Sequence, residues 1–199
     1  MTNPTTLLFD LGGVIVPWVG IEALMARTGL SREAVSTRMS ESKIFSDYEI
    51  GACSDETFCA ELVGLFDLDI PLGEAPLLWN SWVHPPFPGV IDALAKLRST
   101  HRVACLSNTN ALHWAHLQTL LDLEEAFHHP LASHLLKAAK PGLEIYQRAL
   151  DLMGVSAKDV HFFDDTLVNV EAARALGMRA THVDRAVGVM PTLKQLDLV

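Results

Sequence analysis

The chain has 199 residues, of which 49% are hydrophobic and 20% charged, and carries a formal net charge of -9. That length suits one domain, or one domain with an insert, and the composition is that of an ordinary compact protein without repeats or low-complexity tracts. The acidic balance and the lack of a basic patch exclude a phosphate-backbone-binding surface, but not a small phosphorylated ligand, because a bound cation inverts the local field.

Leu7-Leu8-Phe9 predicts a first strand over residues 5–10, ending in Asp10. A run apolar throughout suits a strand buried on both faces of a parallel sheet. From Trp18 to about Pro86 the pattern turns helical and richer in charge. Ser54 reads as an N-cap, with Asp55 and Glu56 in the first turn and Phe58, Leu62 and Leu65 at helical spacing. Trp79 and Trp82 precede Pro85-Pro86-Phe87-Pro88-Gly89, which reads as a linker. The segment is too long for a loop. It predicts an inserted helical subdomain over 18–86, with 1–17 and 87–199 forming the core domain and hinges at Val16–Trp18 and Pro85–Pro88.

Beyond the linker, Pro88 can open a helix carrying Val90, Ile91, Leu94 and Leu97 on one face. Val103-Ala104-Cys105-Leu106 is a second strand running into Ser107, followed by a helix through His113, Trp114 and Leu117. A third strand falls near His128 to Ser133. After Lys140-Pro141 a helix presents Leu143, Tyr146, Leu150 and Met153, with Gly154 as its stop. Val160-His161-Phe162-Phe163 runs into Asp164-Asp165, a helix from about Asn169 stops at Gly177, and a fifth strand covers Arg179 to Val183. Such alternation predicts an α/β fold with a parallel sheet and right-handed crossovers. Cys53, Cys59 and Cys105 do not form a disulfide framework, and Cys105 reads as a core residue. With no secretory signal and no membrane-length apolar run, the cytoplasm is the expected location.

Open α/β sheets bind ligands beyond the carboxyl ends of their strands. Asp10, Ser107, Lys140 and Asp164-Asp165 can therefore meet in one pocket, bringing together a nucleophile, a hydroxyl, an ammonium and a carboxylate pair. Two adjacent carboxylates repel unless a cation or proton sits between them, and oxygens of this kind suit a hard cation. A strand-to-helix turn at Ser107 offers free N–H groups to an anion. Taken singly, these residues read as N-caps or a solvated lysine. His113, His116, His128 and His129 have no acidic or cysteine partner at zinc-like spacing and read as surface or helix residues, with His113 or Trp114 the ones that could face the pocket.

In order and spacing, FDLGGVIV from Phe9, LSNTN from Leu106, Lys140-Pro141 and FFDDTLVNVEAARALGM from Phe162 resemble the four motifs of the haloacid dehalogenase-like (HAD) hydrolase superfamily. The resemblance implies a Rossmann-like sheet flanked by helices, with the insert as an all-α C1 cap. It implies Asp10 as a nucleophile that forms an aspartyl-phosphate, with Lys140 assisting. Ser107, the backbone of Asn108 and Gly13 would bind phosphate oxygens. Mg2+ would be held by Asp10, the Gly12 carbonyl and Asp165, with Asp164 as a second ligand or outer acceptor and Asn169 supporting indirectly. The implied activity is a phosphatase for a small phosphorylated metabolite, a sugar phosphate among the candidates, with no nucleic-acid or membrane partner. A metal-free 2-haloacid dehalogenase and a catalytically weak regulatory protein are the alternatives.

One position departs from the family pattern. Most phosphatases of the superfamily carry a second Asp two residues after the nucleophile as general acid and base; this chain has Gly12, as in the sugar-1-phosphate phosphatase type. General acid–base help is worth about 10²–10⁴ in rate. Its loss would favour anomeric, acyl and aryl phosphates over alkyl ones, unless Asp47 or Glu49 from the insert substitutes; no sequence pattern brings either to the site.

Overall fold

A computed structural model describes residues 5–199. Five strands lie at its centre: β1 (Thr6–Phe9), β2 (Arg102–Ser107), β3 (His129–Ala132), β4 (Val160–Asp164) and β5 (Arg179–His182). All pair in parallel, in the order β3-β2-β1-β4-β5. Every residue of β1 and β4 is buried, as continuous apolar strands require. Phe9 lies opposite Cys105 on one side and Phe163 on the other. The chain leaves β1 for β2 and β3, then returns to β4 and β5 on the opposite side. The carboxyl end of β1 is thus the switch point, where such sheets leave a crevice.

Between β1 and β2 lie α1 (Gly20–Thr28), α2 (Arg32–Glu41), α3 (Lys43–Glu49), α4 (Asp55–Leu65) and α5 (Ala75–Asn80). Ser31 and Ser54 cap α2 and α4 by accepting from Ala34 N and Thr57 N. These helices bury a core of their own, built on Leu24, Val35, Phe58, Leu62, Trp79 and Trp82. The chain enters and leaves this layer along paired backbones: Val19 N donates to Trp82 O, and His84 N to Pro17 O.

The remaining helices sandwich the sheet. These are α6 (Val90–Arg98), α7 (Ala111–Leu120), α8 (Leu123–Ala126), α9 (Ser133–Leu136), α10 (Leu143–Met153), α11 (Leu167–Ala175) and α12 (Met190–Gln195). Leu7, Phe9, Val103, Cys105 and Phe163 pack against α6, α7 and α12, while Leu8, Ala104, Leu106 and Phe162 pack against α10 and α11. Among the described residues no helix is long and apolar enough to cross a membrane, and the three cysteines are free, Cys105 fully buried.

Several expectations need correction. Ile91 and Leu143 are exposed at 45% and 52%; Ala93 and Ile145 turn inward instead. At 3.6 residues per turn the faces set by Val90–Leu94–Leu97 and Tyr146–Leu150–Met153 leave both residues on the outer edge. α11 begins at Leu167 rather than Asn169, because Asp164 Oδ1 accepts from Thr166 N and starts the turn earlier. The four-residue helices α8 and α9 are too short to show a period in sequence.

Candidate active site

Side chains alternate along a strand, so Asp10 and Asp164 continue the rows of Leu8 and Phe162 at the carboxyl edge. Lys140 rises between them from the turn before α10. Its side chain is wholly buried, and Nζ lies 3.0 Å from Asp10 Oδ1 and 2.7 Å from Asp164 Oδ2. Its Nζ stands over the Phe162 ring, 5.4 Å from the centroid.

Each carboxylate is differently engaged. Asp10 Oδ1 also accepts from Leu11 N at 2.7 Å, so both bonds fall on one oxygen and Oδ2 faces the crevice. Asp164 is saturated: Oδ1 accepts from Thr166 N and Asn169 Nδ2, and Oδ2 from Lys140 and again from Asn169 Nδ2. Asp165 is looser, with Arg185 Nε 3.6 Å away and Thr166 Oγ1 donating at 3.3 Å. Gly13 makes room for it. A Cβ at Gly13 would stand 2.4 Å from Asp165 Oδ2, and its φ of +74° disfavours any side chain.

Oxygens of Asp10, Asp164 and Asp165 lie within 4.8 Å of one another. Three carboxylates face one buried ammonium and, beside Asp165, the half-exposed Arg185 guanidinium, which leaves an excess of negative charge. Burial pushes the Asp10 carboxyl well above its ordinary range; Lys140 opposes this, and Asp164 and Asp165 reinforce it. Asp165 is likewise raised, by burial and then Asp164. Burial would lower Lys140, but Asp10 and Asp164 outweigh it and hold the ammonium charged. Oxygen donors with this excess of negative charge fit a hard divalent cation.

On the other flank, Ser107 ends β2 at 4% exposure, and Asn108 brackets the Lys140 peptide. Asn108 Oδ1 accepts from Lys140 N at 2.8 Å, and Nδ2 donates to Lys140 O at 2.9 Å. The Asn108 side chain therefore fixes the lysine backbone. Gly12 and Gly13 form the turn after β1, where Gly13 N donates to Val16 O.

Asp10, Gly12, Ser107, Asn108, Lys140, Asp165, Asn169 and Arg185 border one cavity of about 390 Å³; Asp164 stands behind it, and Gly13 supports Asp165. The helical layer supplies the roof: Trp18, Met39, Phe45, Tyr48, Glu49, Phe58 and Trp79. His113 belongs here as well, so the surface reading of it is corrected. It is 6% exposed, its Nε2 meets Trp79 O at 2.9 Å, its ring stacks on Trp79, and burial lowers it to about 4. Of the two insert carboxylates considered, Asp47 is taken up by Lys43 and Glu49 reaches the cavity. Arg185 had no signal in sequence, since a lone arginine in a loop has no pattern.

The fold and this carboxylate–ammonium cluster define a hydrolase of the α/β class. The chain belongs to the haloacid dehalogenase-like hydrolase family, whose model matches residues 4–177. A D-ribitol-5-phosphate phosphatase of Bacteroides thetaiotaomicron is 26% identical over 180 residues, 86% of this chain and 87% of that protein. A phosphatase of Mycobacterium tuberculosis is 38% identical over 87 residues, 44% of this chain but only 37% of that protein's length. Among solved structures, a HAD family enzyme of B. thetaiotaomicron in complex with magnesium and inorganic phosphate superposes with a TM-score of 0.78 at 25% identity, covering 90% of this chain and 94% of that one.

Proposed function

We propose that this chain is a Mg2+-dependent phosphatase that removes phosphate from a small phosphorylated metabolite through an aspartyl-phosphate. It is a HAD-like phosphoric monoester hydrolase, supported by the family match and its phosphatase relatives. The observation that carries the mechanism is Asp10: one oxygen held by Lys140 and Leu11 N, the other facing the cavity, beside an excess of negative charge.

Asp10 Oδ2 attacks phosphorus as the bond to the leaving oxygen breaks. Lys140 keeps Asp10 oriented and offers positive charge to the phosphoryl oxygens. Ser107 and the N–H of Asn108 bind those oxygens at the turn into α7. Asp10, Asp165 and the Gly12 carbonyl would hold Mg2+, with Asp164 and Asn169 as the bracing pair behind them. When bound, the ion neutralises the carboxylates that would otherwise repel a phosphate. Water then attacks phosphorus and frees Asp10.

Residues 18–86 act as a cap over this site, and the substrate's organic part lies against them. Two of the cap's polar groups at the cavity are already engaged: Tyr48 OH donates to Asp55 of the cap at 2.6 Å, and Trp79 Nε1 to Asn110 Oδ1 of the core at 3.2 Å. Trp18 and Phe45 leave carbon-rich walls, which suit the face of a sugar ring or another compact group in a cavity of about 390 Å³. The test is hydrolysis of p-nitrophenyl phosphate with Mg2+, with EDTA, and by Asp10→Asn. Activity that survives EDTA or the substitution refutes the reading. A metal-free dehalogenase has no use for the excess negative charge, and halide release from 2-chloropropionate without metal would favour it.

A further inference from the structure

Position 12 carries no carboxyl, so a leaving alkoxide has no proton source on the turn after β1. The titratable side chains bordering the cavity, among the described residues, are Asp10, Asp165, Lys140, Arg185, Tyr48, His113 and Glu49. The first three belong to the charged cluster, and Arg185 pairs with Asp165. Tyr48 has already given its proton to a bond with Asp55, and His113 is locked onto Trp79 O. Glu49 is left.

The fold goes to some length to hold Glu49 there. It is the last residue of α3, and its carbonyl accepts from Ser133 Oγ at 2.6 Å. Ser133 is fully buried and also accepts from Thr109 N, so the insert is bonded to the loop after β2 through one hydroxyl. Two residues on, Gly51 O accepts from Lys137 Nζ at 3.0 Å. Gly51 has a φ of +65°, and a Cβ there would stand 2.6 Å from Lys137 Nζ and 2.8 Å from His134 O, so this close docking requires glycine. The docked turn swings the Glu49 side chain over the end of β2. Its Oε2 lies 3.4 Å from Asn108 Nδ2, the group that brackets the Lys140 peptide. Burial raises the Glu49 carboxyl, with Lys140 opposing.

We propose that Glu49, reaching in from the helical insert, is the general acid and base of the phosphoryl transfer. The proposal rests on the phosphatase reading. Protonated Glu49 gives its proton to the leaving oxygen as the Asp10–phosphorus bond forms and the ester bond breaks, releasing a neutral alcohol. The Glu49 carboxylate then takes a proton from water as its oxygen bonds to phosphorus and the Asp10–phosphorus bond breaks. Phosphate leaves and Glu49 is again an acid.

Glu49→Gln keeps the shape and the contact to Asn108 and removes the proton. The probe is a series of substituted phenyl phosphates of rising leaving-group pKa, assayed with Mg2+. Wild-type rates should be nearly flat across the series. Glu49→Gln should fall steeply, losing about 10²–10⁴ for the poorest leaving groups. With p-nitrophenyl phosphate the variant should release one equivalent of nitrophenolate in a burst and then turn over slowly, because only the second step still needs the base. Glu49 acting only by positioning Asn108 and Lys140 would lower every substrate alike, without a burst. That result, or a steep wild-type series, overturns the proposal. No Mg2+-dependent turnover of any aryl phosphate by the wild-type protein would sink the phosphatase reading itself, and the proposal with it.

Discussion

Lys140→Met tests the electrostatic core of the site. Methionine keeps most of the aliphatic stem, so the substitution opens little cavity and the cost is that of the lost charge. Lys140 is wholly buried between Asp10 at 3.0 Å and Asp164 at 2.7 Å. Without it, three carboxylates within 4.8 Å face no buried cation. Removing one partner of a buried ion pair costs about 3–5 kcal/mol, or about 6–20 °C in Tm for a domain of this size. The loss should depend on pH. The Asp10 carboxyl is already raised above its unfolded value of 3.8, and losing Lys140 raises it further. A group raised in the folded state contributes its stability below the unfolded value and loses it as pH rises through the folded one. The gap between variant and wild type should therefore be widest in mildly alkaline buffer and shrink toward pH 5. Mg2+, which restores positive charge among the same carboxylates, should narrow it too. Urea unfolding in EDTA and in Mg2+, at each pH, measures this. A gap below about 1 kcal/mol, or one that ignores both pH and Mg2+, would refute the view of Lys140 as the charge that makes the cluster tolerable.

Further outcomes follow from the same geometry. Gly13→Ala forces Asp165 aside by roughly an ångström, because the new Cβ would sit 2.4 Å from its oxygen where ordinary contact begins at 3.4 Å. The Mg2+ concentration for half-maximal activity should rise about tenfold or more, a loss of about 1.4 kcal/mol; an unchanged Mg2+ titration would remove Asp165 from the ion site. Phe162→Ala deletes a fully buried ring that packs edge-on to Tyr146 and lies under Lys140, and thermal or urea unfolding should show a loss of about 3–5 kcal/mol. His113 and His161 are each lowered by burial from 6.5 to about 4 and stay neutral in the fold. The unfolded chain takes up their protons first, so stability should fall as pH drops from about 6.5 to 4, by up to about 3 kcal/mol for each. His113→Gln should flatten part of that slope, and urea unfolding between pH 4 and 7 reads it.

The strands were legible because burial on both faces writes itself into sequence. Leu7-Leu8-Phe9 and Val160 to Phe163 can hardly be anything but central strands, and Asp10 and Asp164 mark where those strands end. The cap of α4 at Ser54 and the stop of α10 at Gly154 are local events within one turn, and both fell where expected. Ile91 and Leu143 misled because an apolar residue at the edge of a helical stripe looks like one at its centre. Of the four histidines singled out in sequence, His113 is the one locked against Trp79, a residue 34 positions away, and no local pattern shows that contact.

What the sequence determined by itself was the set of strand-end oxygens and the parallel sheet, both consequences of local pattern and of one rule about where open sheets bind. Only the tertiary structure decided that Asp164 is saturated while Asp10 keeps a free oxygen, that Gly13 exists to make room for Asp165, and that Glu49 rather than Asp47 reaches the cavity. Those outcomes depend on distances between segments that are far apart along the chain. The Ser133 hydroxyl bonding the Glu49 carbonyl, 84 residues away, is fixed by the docking of one layer on another, and no run of neighbouring residues encodes it.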